Sequence, residues 1–229
     1  HVDSQFAMDK IINLGIPHVG ELIFESIDTP GLFQCLSVSE TWKVLAENVL
    51  MKRWKSRMFE ACIGGMTQIV TFLLERGNCE NELNSMDING MTAFIGACRY
   101  GHKDIVKLLL DFSDRNIDLN ARNSEGLTGF MVACFDGHKD VVQLLLDHSD
   151  RIEFNAKDNC GHTALTHACE NGRYNVVQLL LDNSYRNIDL NVATNGGLTA
   201  FIWACYKGHK NVVQLFLDHS DQIKLNAKD

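Results

Sequence analysis

Across residues 58 to 229 the apolar positions recur in one fixed order: a short apolar cluster ending in Ala-Cys, a glycine step, then a denser Val-Val-x-Leu-Leu-Leu run. The order is written in Thr92-Ala-Phe to Ala97-Cys98, Thr128-Gly-Phe to Ala133-Cys134, Thr163-Ala-Leu to Ala168-Cys169 and Thr199-Ala-Phe to Ala204-Cys205, at spacings of 36, 35 and 36 residues. A period of this size marks stacked supersecondary units, which bury a common face and leave another free for binding. The unit from Ser124 to Asp147 parses into turn, short helix, turn and longer helix. Gly126 permits a positive φ in the turn, Thr128 can cap a helix with its hydroxyl, and Gly137 stops that helix before His138. Val141, Val142, Leu144, Leu145 and Leu146 are too many apolar residues for a one-sided helix, so the longer helix must be sandwiched between neighbours.

The pattern is different before residue 58. Ile16-Pro17 to Ile27 predicts a short amphipathic helix, which Asp28-Thr29-Pro30-Gly31 ends. Leu32, Phe33 and Leu36 begin a second helix, and Val38 to Leu50, with apolar residues three or four apart around Trp42 and Leu45, forms a third. The predicted organisation is a three-helix module over 8–57 followed by five units over 58–87, 88–123, 124–158, 159–194 and 195–229.

Composition narrows the function classes. The 229 residues are 45% hydrophobic and 22% charged, a globular balance. Of the net charge of -8, residues 1–57 contribute 6 Lys/Arg against 7 Asp/Glu and the rest contribute 15 against 22. An acidic array repels phosphate backbones, so no nucleic-acid partner is expected. No apolar run is long enough for a membrane span, and none is expected. Five of the eight cysteines, Cys62, Cys98, Cys134, Cys169 and Cys205, sit beside alanine at the repeat spacing without any Cys-x-x-Cys pair. They are expected to be free packed thiols in a reducing compartment. His102, His138 and His209 recur on one edge, but stacking places them about 10 Å apart. They cannot share one ion, and each is expected to tie down its own turn. No metal or cofactor is predicted.

These residues resemble ankyrin repeats, whose pattern runs Gly-x-Thr-Pro-Leu-His-x-Ala-Ala, then Gly-His, then Val-Val-x-Leu-Leu-Leu, then Val-Asn-Ala. Gly101-His102, Gly137-His138 and Gly208-His209 match the inter-helix turn, with Gly172-Arg173 and Gly65-Met66 as variants. Asn120-Ala121, Asn155-Ala156 and Asn226-Ala227 match the hairpin entry, and Asn191-Val192 is close. The family's proline is replaced by Ala93, Gly129, Ala164 and Ala200, which weakens helix initiation. The segment after each second helix is two to three residues longer than the usual unit and carries charge. The resemblance also implies that Asn120, Asn155 and Asn191 occupy the position where ankyrin proteins are often hydroxylated by an asparaginyl hydroxylase.

Residues 15 to 55 resemble an F-box. Ile16-Pro17 stands for its Leu-Pro start, and Val38-Ser39 to Trp42 and Leu45-Ala46 stand for Val-Cys-x-x-Trp and Leu-Ala. The implied fold is all-α, an N-terminal three-helix F-box-like module followed by an ankyrin solenoid of about five repeats with short β-hairpin turns. A plain helical cap on the solenoid is the alternative.

The two resemblances together imply a substrate-receptor subunit of an SCF-type cullin-RING ubiquitin ligase. The F-box would dock a Skp-family linker through Ile16, Pro17, Leu22, Leu32, Leu36 and Val38, with Trp42 mainly packing the module. The repeats would hold a protein target at the hairpin tips Met91, Leu127, His162 and Leu198. The inner-helix ends Arg99, Tyr100, Phe135, Asp136, Glu170, Tyr206 and Lys207 would complete that surface, with Tyr100, Phe135 and Tyr206 as aromatic anchors. Such a subunit raises the target's effective concentration at the ligase and needs no catalytic residue. Its expected place is the cytoplasm or nucleus, or a host's cytosol. The rival is a scaffold or inhibitor that works without ubiquitin, while an enzyme lacks support, because no nucleophile, general base or phosphate loop stands out.

Overall fold

A computed structural model describes residues 24–54, 57–76, 80–112, 116–148 and 150–219. The chain divides into two compact units, residues 1–57 with 75–77, and 58–74 with 78–229.

In the first unit, α1 (Thr29–Cys35) packs on α2 (Glu40–Trp54). The Asp28-Thr-Pro-Gly segment ends one helix and starts the next: Asp28 Oδ1 accepts from Gly31 N at 2.9 Å, and Pro30 sits within the first turn. An N-cap of this kind satisfies an amide that the helix itself cannot. Phe24, Leu32 and Leu50 are fully buried, and Trp42 meets Phe24 edge-on at 5.5 Å. Arg53 ties the entry segment to α2 by donating to Thr29 Oγ1 and to the carbonyls of Glu25 and Ile27.

The second unit is two rows of helices. The inner row is α3 (Met58–Ile63), α6 (Ala93–Arg99), α8 (Gly129–Asp136), α10 (Ala164–Glu170) and α12 (Ala200–Lys207). The outer row includes α4 (Thr67–Arg76), α7 (Lys103–Asp111), α9 (Lys139–Asp147), α11 (Tyr174–Asp182) and α13 (Lys210–Asp218), and α5 (Glu80–Leu83) lies in the first inter-repeat segment. Successive inner helices pack on one another, and so do α7, α9, α11 and α13. Thr92, Thr128, Thr163 and Thr199 cap the inner helices, each hydroxyl accepting from the amide three residues on at 3.3–3.5 Å. The hydroxyl caps start these helices without the family's proline. Gly129 serves packing, since a Cβ there would lie 2.8 Å from the Phe94 ring of the preceding repeat.

The predicted β-hairpins are absent: no strand occurs among the described residues, only an isolated bridge between Ala193 and Thr199. Side chains close the tips instead. Asp87, Asn123 and Asp158 each accept, through Oδ1, from the amides two and four residues on, at 2.8–3.0 Å. Two backbone bonds per tip complete the closure, as in Asp158 N to His162 O at 2.9 Å and Gly161 N to Asp158 O at 3.0 Å. Because the carboxylate or amide oxygen occupies the N–H groups that ladder bonds would use, the tip stays a loop. Tips then join in series through Ser124 N to Asn89 O, Asn159 N to Glu125 O and Asn195 N to Cys160 O.

The long segments have a structural task. Arg151 Nη1 reaches Leu110 O at 3.4 Å and Arg186 Nη1 reaches Leu146 O at 2.9 Å, so each arginine caps the outer helix of the repeat before it. Asn187 follows Arg186 with a φ of 64°, and Asn116 holds the equivalent place in the second repeat with a φ of 61°. The 35-residue unit runs from Arg151 directly to Ile152 and lacks this left-handed asparagine, which accounts for its shorter spacing.

Candidate functional site

The inner-helix ends and loop tips of the second unit form one candidate surface. Arg99, Tyr100, Phe135, Tyr206 and Lys207 are exposed there, while Asp136 and Glu170 are half-buried. Tyr100 is 56% and Tyr206 76% exposed, large aromatic areas for a chain to leave open to water. Beside Tyr100 lies an open pocket of about 460 Å³, lined by Phe59, Ile63, Asp87, Met91, Arg99 and Glu125 among others. Lys207 pairs with Glu170 at 3.1 Å and lies 5.4 Å over the Trp203 ring, which meets Tyr206 edge-on at 5.8 Å.

The expected tip residues divide. Met91 and Leu127 are buried, so they form the floor and not the contact surface expected of them, whereas His162 and Leu198 are half-buried. In the first two tips the loop oxygen four residues back, of Asp87 or Asn123, holds the amide of Met91 or Leu127, and the side chain is left in the core.

In the first unit Leu32 is fully buried and belongs to the core, which removes it from the surface available to a linker protein. Leu36 and Val38 are half-buried, and Trp42 is buried against Phe24. Ile16, Pro17 and Leu22 lie outside the described residues.

The turn histidines act between repeats, not within their own turns. His102 Nε2 meets Ile63 O at 2.9 Å, His138 Nε2 meets Arg99 O at 2.7 Å and His209 Nε2 meets Glu170 O at 2.9 Å. Arg173 Nε donates to Phe135 O at 2.8 Å in the fourth case. Each closes an orphan carbonyl at the end of the preceding inner helix.

Asn120 and Asn155 likewise bridge repeats. Asn120 donates to Arg151 O and accepts from Glu153 N, and Asn155 donates to Asn187 O and accepts from Asp189 N, at 2.6–2.9 Å. A hydroxylase would have to open these bonds first. Asn191 is half-buried.

One cluster escapes the spacing argument. Asp158 Oδ2 lies 3.0 Å from His167 Nε2 and 3.5 Å from His162 Nδ1, and the side chains of Asp158 and His167 are each 8% exposed. His167 meets Phe135 edge-on at 5.7 Å, and His162 packs on Trp203 at 5.4 Å. Burial pushes the His167 imidazole below the ordinary histidine range, against the pull of Asp158. The signal in the sequence is a column comparison. Met91, Leu127 and Leu198 stand where this repeat has His162, and Gly96, Val132 and Trp203 stand where it has His167.

The thiols follow the core. Cys62, Cys98, Cys134 and Cys169 are buried, and desolvation raises the pKa of the last three. Cys205 is exposed, contrary to the packed position its spacing predicts, because no further helix stacks on α12 among the described residues. Among those residues, too, no helix is long and apolar enough to cross a membrane.

Among curated proteins, none matches the chain. The family model for ankyrin repeats in three copies matches residues 58–158 and 130–229, and the caps, tip loops and paired helices fall in the same span. The chain therefore belongs to the ankyrin-repeat family, and its repeats imply a protein-binding role.

Proposed function

We propose that this chain is the target-holding subunit of a cullin-RING ubiquitin ligase, with residues 15 to 55 docking a Skp-family linker and the repeats holding the target protein. The observation that carries the target half is the exposure of Tyr100, Phe135 and Tyr206 at the inner-helix ends. Rigid aromatics that already lie in the open gain buried area on binding at small entropic cost. The pocket beside Tyr100 supplies a recess for one partner side chain. The ligase half rests on Ile16-Pro17, Trp42 and Leu45-Ala46 standing in F-box order. Leu36 and Val38 retain partly open apolar surface to support it. The chain contributes proximity and orientation, not catalysis.

Copurification of the full chain with a Skp-family protein tests the ligase half. Ile16→Asp with Leu36→Asp should abolish that capture, since an interface that buries an unpaired carboxylate loses several kcal/mol. Unchanged capture, or none by the parent chain, removes the linker site. Replacing Tyr100, Phe135 and Tyr206 with alanine should cost at least about 2 kcal/mol of target affinity and leave linker capture intact. Retained target affinity would move recognition to the charged segments around Arg115, Arg151 and Arg186. Target binding with no linker capture would favour a scaffold or inhibitor.

A further inference from the structure

We propose that Asp158, His162 and His167 bind a divalent transition-metal ion, Zn2+ in the first instance, through Asp158 Oδ2, His162 Nδ1 and His167 Nε2. These three atoms lie within 4.8 Å of one another, with the carboxylate oxygen 3.0 and 3.5 Å from the two nitrogens. A tetrahedral ion with bonds of about 2.0–2.1 Å sets its ligand atoms roughly 3.3 Å apart, so two of the three spacings are already close to that value. The third, between the two imidazoles, lies within 4.8 Å and is the one that binding must shorten, with His162 half-buried at the tip of its loop.

The carboxylate is held for the task by the loop itself. Asp158 Oδ1 is occupied by the amides of Cys160 and His162, which leaves Oδ2 to face the imidazoles. Loop closure alone explains an acidic or amide residue here, since Asp87 and Asn123 close their loops in the same way. It does not explain the histidines, for the other repeats put Met, Leu and Leu at the first position and Gly, Val and Trp at the second. Two imidazoles and one carboxylate select a first-row transition ion over Ca2+ or Mg2+, which demand more oxygen ligands. Three protein ligands leave the fourth position to water. The outer nitrogens, His162 Nε2 and His167 Nδ1, have no hydrogen-bond partner among the described residues. Without that outer layer to orient the rings, affinity should be micromolar and not nanomolar.

The site is independent of the ligase reading. Its test uses the full chain without a histidine tag, stripped with chelator and titrated calorimetrically with Zn2+, and with Co2+ to read the visible absorption of tetrahedral coordination. One ion should bind per chain with micromolar affinity. His167→Val, His162→Leu and Asp158→Asn install the residues found one period earlier, Val132, Leu127 and Asn123, so the fold has a native precedent for every change. Each should weaken binding at least tenfold, and His162→Leu with His167→Val should abolish it, with circular dichroism reporting that the helices persist. Should one variant fail to fold, the other two carry the same test. No binding by the parent chain, or binding that survives the double variant, overturns the site.

Discussion

His138 Nε2 lies 2.7 Å from the carbonyl oxygen of Arg99 in the preceding repeat, and its ring covers Gly101 so closely that a Cβ there would come within 2.6 Å of His138 Nδ1. Gly101 also has a φ of 71°, so the histidine and the glycine one repeat earlier form a single latch. His102 over Gly65 and His209 over Gly172 repeat the arrangement.

Gly101→Ala should therefore destabilise the second unit by about 2–3 kcal/mol, from the left-handed backbone and from the clash. His138→Ala should cost about 1 kcal/mol for the orphaned carbonyl. The double variant should cost less than the sum, because removing the ring relieves the clash. Equilibrium urea unfolding of the three proteins checks this, and strict additivity would contradict the latch.

Asn155 carries two bonds to the next repeat, to Asn187 O and from Asp189 N. Asn155→Ala should lose about 1–3 kcal/mol. Amide hydrogen exchange should quicken at Asp189, whose N–H loses its acceptor, while the first unit is unaffected.

Asn187 holds a φ of 64° immediately after Arg186, the residue that caps α9. Asn187→Ala should cost about 1 kcal/mol and Asn187→Gly should be near neutral, because only the alanine disfavours that backbone region. Thermal unfolding of the two variants separates them.

Alkylation distinguishes the thiols. In the native protein Cys160 and Cys205 should react, while Cys98, Cys134 and Cys169 should be protected by burial and by the high pKa it imposes. Peptide mapping after brief iodoacetamide treatment, with and without denaturant, reads this directly.

Trp42→Ala should destabilise the first unit by about 3–5 kcal/mol, since it empties the space beside Phe24. Hydrogen exchange should loosen in α1 and α2.

Much of this protein is written in local spacing. The threonine caps, the glycine stops, the Val-Val-x-Leu-Leu-Leu outer helices and the period itself are short-range instructions, and a helix that is apolar on several faces requires neighbours whatever they are. Tertiary structure decided what those instructions meet. Asp87, Asn123 and Asp158 look like ordinary turn residues, yet by capturing amides they turn expected hairpins into side-chain-closed loops. The Gly-His step suggests a histidine serving its own turn, but the stacking of inner helices brings the preceding repeat's last carbonyls within its reach. Leu32 and Leu36 differ by one helical turn in sequence, and only packing against α2 buries the first fully and leaves the second partly open. Asp158, His162 and His167 are spaced for a loop and a helix start. Their meeting at one carboxylate oxygen depends on how that loop, closed by Asp158 Oδ1, folds back over the start of α10, a conformation that spacing along the chain does not encode.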